Sequence, residues 1–163
     1  MDERMVSHIT DKLGDLAKQG QLRVRGYLSP ELLFITESNQ LKAQTFAGVP
    51  IDEIRDYLKG YLALKAQQIR EACLVIDCYT EPGQETTLSD VVVIIHCSKD
   101  AAYKVGIIEY DSNSNPVIQK PINWQNIYWQ KSMLPLAREL LACLEGGIPT
   151  RQFQVSWTVP PLV

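Results

Sequence analysis

Three runs rich in β-branched and aromatic residues, Cys73–Thr80, Asp90–Ser98 and Tyr103–Asp111, follow one another with only residues 81–89 and 99–102 between them. Side chains of this kind suit a pleated, half-buried surface. A parallel crossover needs a dozen or more residues, whereas antiparallel neighbours close over a short turn. The links therefore dictate an antiparallel meander, and any fold open to this chain contains it. In its middle run, Val91 to Ile95 is apolar at every position. That is the pattern of a central strand covered on both faces.

The flanking segments supply the remaining layers. Met5, Ile9, Leu13 and Leu16 lie on one stripe of a helix over residues 3–19, which Gly20 ends. Residues 21–28 alternate as a half-buried strand, with Arg23, Arg25 and Tyr27 on its polar side. After Ser29-Pro30, residues 32–36 read as its hairpin partner and 41–46 as a third strand. Asp52 caps a helix expected to run from 52 to 70. Pro116 and Pro121 imply an irregular, partly buried stretch over 117–130. Ser132 is expected to cap a helix to Glu145, with Pro135 tolerated in its first turn, and residues 151–159 alternate as a final strand. The reading is a single α+β domain over residues 1–163. Its antiparallel or mixed sheet has about five to seven strands packed by three helices, in the order α-ββ(β)-α-βββ-α-β.

Composition narrows function mainly by exclusion. A net charge of −3 over 163 residues carries no basic footprint, so a nucleic-acid partner is not expected. No apolar run reaches the ~18 residues of a membrane span. The four cysteines, Cys73, Cys78, Cys97 and Cys143, sit inside apolar runs, and their spacing fits no zinc pattern. Met1-Asp2-Glu3-Arg4 is acidic and no apolar core follows it. The expectation is reduced thiols in a cytoplasmic protein.

Catalytic motifs are absent: there is no P-loop, no G-x-G-x-x-G, no H-E-x-x-H and no G-x-S-x-G. The meander nevertheless offers one arrangement of acids. With the link lengths above, Asp77 is expected opposite Val92 and Val92 opposite Glu109, with Tyr79, Asp90 and Asp111 in the next row. Asp77, Asp90, Glu109 and Asp111 would then gather at one end of one face. Carboxylates so grouped repel one another unless a hard cation such as Mg²⁺ joins them. His96, expected on the same face opposite Cys73 and Val105, is a candidate general base or metal ligand, or else a histidine at the core edge. Cys97 points to the other face and reads as core.

Over residues 52–159 the order helix, three-stranded meander, helix, strand is similar to the core of the PD-(D/E)xK nuclease superfamily. The resemblance places Asp90 and Glu109 as metal-binding acids. The chain departs from the family motif at two points: Glu109-Tyr110-Asp111 has Asp where the catalytic lysine belongs, and Ser89-Asp90 replaces Pro-Asp. The resemblance implies a Mg²⁺-dependent phosphodiester enzyme or an inactive relative.

A different class of function follows from Trp124, Tyr128 and Trp129, which crowd large aromatic surface into a segment expected to be a loop. Aromatics dominate interface hot spots and also anchor loops in cores. With the motifs missing, the leading expectation is a non-catalytic binding or protein-interaction domain. It would bind a protein partner or a second copy of itself, with no cofactor.

Overall fold

Alternation and β-branching between residues 69 and 111 build the centre of the sheet. The computed structural model describes residues 1–19, 28–50, 53–59, 68–79, 86–88, 90–98, 101–114 and 116–145. Helix α1 (Glu3–Gln19) precedes a hairpin of β1 (Glu31–Thr36) and β2 (Leu41–Thr45). Residues 53–59 are helical and form α2. The meander follows as β3 (Ile69–Tyr79), β4 (Asp90–Ser98) and β5 (Ala101–Asp111). A short β6 (Ile118–Gln119) leads to α3 (Ile127–Ser132) and α4 (Leu134–Leu144). The described strands form one six-stranded sheet, ordered β2-β1-β3-β4-β5-β6, with every pairing antiparallel. The fold class is thus α+β on an antiparallel sheet, as the links required.

Both faces of the sheet are covered, and side-chain alternation sorts the core into two layers. Leu32, Leu74, Ile76, Val93 and Ile107 pack against Ile54 and Leu58 of α2, Trp129 of α3, and Leu136 and Leu140 of α4. On the other face Leu33, Cys73, Val92, Ile94 and Ile108 meet Met5, Ile9 and Leu13 of α1. Val117, Ile122 and Trp124 extend that second layer beside β5. β4 lies in the middle and is buried from Asp90 to Cys97.

Charges fasten the helices to these layers. The buried Glu31 carboxylate accepts hydrogen bonds from Lys12 and from Thr45 Oγ1, and it pairs with His8 Nε2. Burial alone pushes Glu31 up, but these partners outweigh it and hold its carboxyl below the usual range. On the opposite face Arg55 Nε donates to Glu139 Oε1 at 2.7 Å, tying α2 to α4.

Three expectations about elements change. The helix expected to reach residue 70 gives way earlier, because Ile69 pairs with Thr36 and Arg70 is already in β3. An apolar Ile69 fits either a helix face or a strand, and the β1 neighbour decides. Ser132 does not start a helix; it ends α3, and α4 begins after Met133 with Pro135 in its first turn. The stretch 117–130 is more regular than its prolines implied. β6 pairs with β5, and Asn126 caps α3 by accepting the Trp129 N–H. The strand expected over 21–28, with Arg23 and Arg25, lies almost wholly outside the described residues, as does that over 151–159.

Candidate functional site

The proposed acid group depends on two registers, and only one is as expected. Between β3 and β4, Asp77 lies opposite Val92 and Tyr79 opposite Asp90. Between β4 and β5, Glu109 lies opposite Val91 and Tyr110 opposite Asp90, one residue away from expectation. Ser98 pairs with Ala101, and the register shifts between His96 and Ser98. A one-residue slip turns every side chain to the other face. Glu109 and Asp111 therefore share the α4 face with Val91 and Ile107, while Asp77 and Asp90 share the α1 face with Val92 and Ile108. The sheet separates the two pairs.

Each acid also has internal partners. Asp77 accepts from Tyr110 Oη and from the Leu28 N–H, both at 2.6 Å. Asp90 accepts from Ser112 Oγ at 2.7 Å. Glu109 Oε1 accepts from the N–H groups of Thr87 and Leu88, and Lys120 Nζ lies 3.5 Å from its other oxygen. Burial raises the Glu109 carboxyl, but these donors outweigh it and leave it below its ordinary value. Asp111 accepts from the Asn113 N–H at 2.9 Å in the turn that follows β5. Among the described residues, no three His, Cys, Asp or Glu side chains come together as an ion-binding group.

His96 takes the α1 face opposite Cys73, but its neighbour on β5 is Lys104 rather than Val105. It also has a carboxylate beside it that the sequence reading did not supply: Nε2 lies 2.6 Å from Glu71 Oε2. Glu71 precedes Cys73 by two positions on β3 and so shares its face. Burial drives the His96 pKa down, and the Glu71 carboxylate offsets this only in part. The neutral ring therefore donates from Nε2, because an ionised carboxylate can only accept. Nδ1 is buried and meets no hydrogen-bonding partner among the described residues. The free lone pair of the neutral ring is on Nδ1, and burial rather than a partner keeps that atom from a substrate.

The depressed His96 pKa sets the sign of a pH effect. Below the unfolded value of about 6.5, the unfolded chain binds a proton that the folded chain refuses. This contribution to stability is complete above that pH and is lost as the pH falls towards the folded value. Urea midpoints should drop between pH 7.5 and pH 5.5, and His96→Gln should flatten that drop. Parallel pH profiles for the two proteins would remove His96 as the cause.

The aromatic trio does not form one surface. Trp129 is 0% exposed and belongs to the core under α4, so the expectation that it contacts a partner is corrected. The α3 helix turns that ring inward while Ile127 and Tyr128 stay exposed, at 54% and 36%. Trp124 lies half-buried over Gly106 of β5, with Lys104 Nζ 4.7 Å from its ring centre. The four cysteines are buried free thiols, and burial pushes Cys143 up to about 11 and Cys97 to about 12. Such thiols are inert at neutral pH.

One recess combines accessible apolar and charged groups. It measures about 350 Å³ and opens between β5 and the α3–α4 junction, lined by Tyr103, Lys104, Val105, Gln130, Lys131 and Leu134. Ile127 stands one helical turn from Gln130 and Lys131 and is exposed. No sequence signal marked this place, because its walls come from elements some 30 residues apart that meet only in the fold. Comparison with protein-family models, curated proteins and solved structures gives no match for this chain.

Proposed function

We propose that this protein acts by binding a partner rather than by catalysis, and that the recess between β5 and the α3–α4 junction is where it binds. One observation carries the reading. The buried acids and the histidine of the sheet are engaged within the fold, on opposite faces. The recess instead presents Tyr103, Val105 and Leu134 with the lysines 104 and 131 beside them. An apolar floor with a few convergent polar groups is the usual make-up of a binding site. The acids that the metal-dependent phosphodiester reading needs together lie on both sides of the sheet.

A fragment screen on the ¹⁵N-labelled full chain tests this. Fragment-induced shifts are expected to cluster at the amides of residues 103–105 and 130–134. Fragments that collect elsewhere, or nowhere, overturn the assignment. In a thermal melt, Mg²⁺ at millimolar concentration should leave Tm unchanged. A rise in Tm that Asp90→Asn abolishes would restore the enzyme reading instead.

A further inference from the structure

Among the described residues, the outer edge of β5 is taken up only along part of its length. Ile107 exchanges both backbone hydrogen bonds with Asn123, at 2.9 and 2.8 Å, and Glu109 O accepts from Lys120 N at 2.9 Å. Residues 107 and 109 therefore turn their backbone groups away from β4. Along an antiparallel strand the direction alternates, so Val105 points its groups the same way, while Tyr103 lies at the register shift opposite His96–Ser98. Past Asn123 the chain leaves the sheet: Asn123 Oδ1 accepts from the Gln125 N–H, and Trp124 folds over Gly106. Among the described residues no strand continues along β5 there. The outward N–H and C=O groups of Val105 lie on the edge of β5 beside the recess that Tyr103 and Val105 line.

The side chains around that edge differ by face. Tyr103 and Val105 point to the α4 side, next to Leu134. Lys104 points to the α1 side, beside Trp124. Lys12, Arg55 and Lys120 each meet a carboxylate. Lys104 and Lys131, which flank the recess, have no carboxylate partner among the described residues. An added strand would thus present one row of side chains to an apolar wall and the alternate row to a cation.

We propose that the recess captures an extended peptide segment of a partner protein as an added strand on β5. Its apolar side chains would lie towards Val105 and Leu134 and its acidic ones towards Lys104, with Lys131 adding positive charge at the rim of the recess. The proposal rests on the partner-binding reading and specifies its ligand class. Backbone hydrogen bonds hold such a peptide in place, and the alternating pockets select it. The positive pair supplies the charge preference, which is local because the chain as a whole is acidic.

The probe is an acetylated, amidated hexapeptide of alternating valine and glutamate, titrated into the ¹⁵N-labelled full chain. Shifts are expected at the amides of Tyr103 and Val105. N-methylating the peptide at all valines or at all glutamates blocks one of its two edges. One of these copies should fail to bind and the other should bind within about twofold of the parent. Lys131→Glu, at an exposed position, should weaken the parent peptide about tenfold and favour the valine–lysine counterpart. No shift at millimolar peptide, equal binding of both methylated copies, or equal binding of the lysine peptide overturns the proposal. So does a Val105 amide already protected from hydrogen exchange in the free chain. If fragments still bind at residues 103–105 and 130–134 in those cases, the partner-binding reading survives and only the ligand class falls.

Discussion

Trp129→Ala is expected to lower the unfolding free energy by about 3–5 kcal/mol, the range for truncating a large buried aromatic. The ring is fully buried in one core cluster with sheet residues and with Leu136 and Leu140 of α4. The loss should appear in urea denaturation as a lower midpoint with an unchanged slope. Tyr128→Ala, one position earlier and partly exposed, should shift stability by less than about 1 kcal/mol. The pair separates two meanings of the aromatic segment. Were Trp129→Ala to fold with wild-type stability and only lose partner binding, the ring would be a contact residue, and its place in the core would be wrong.

Gly106→Ala comes second in expected size. A β-carbon at this position would lie 2.5 Å from Trp124 Cε3 and 2.9 Å from Ile122 Cγ2. The β5 backbone cannot retreat, because Gly106 pairs with Ile94 in the middle of the sheet. Trp124 must therefore swing off the face and give up its contact with Lys104. Overpacking of this kind typically costs about 1–3 kcal/mol. Trp124→Ala also destabilises, by removing part of the cover over the α1 face. Combined, the two changes should cost less than their separate effects added together, because the alanine methyl then enters space the indole has left. Thermal melts of the four proteins measure this. Strict additivity would mean that Trp124 does not rest on Gly106.

How far the sequence could be read depended on whether each feature was local. The antiparallel meander followed from link lengths, and the β3–β4 register from the same arithmetic, so Asp77 was placed correctly opposite Val92. The β4–β5 register failed because the register shift at His96/Ser98 cannot be read from composition. That one residue moved Glu109 and Asp111 to the far face and dissolved the acid group. Glu71 was missed as the partner of His96 because a helix was expected to reach residue 70, which hid its place on the strand. Trp129 was closer to being legible. Asn126 is a good N-cap, and a helix begun there sets Trp129, Met133 and Leu136 at helical spacing on one inward face. The stretch of β5 without a neighbouring strand among the described residues could not have been read, since it depends on the chain after Asn123 turning away in space.

That stretch carries a hazard as well as an opportunity. Unpaired strand edges are the places where identical chains stack into aggregates, and a charge on the edge is a common safeguard. Two copies meeting edge to edge at β5 would bring Lys104 and Lys131 against the same residues of the other copy. Repulsion between those cations opposes stacking at low ionic strength and weakens as salt screens it. The lysines would thus act as gatekeepers, keeping the edge soluble while it waits for a chain of opposite charge.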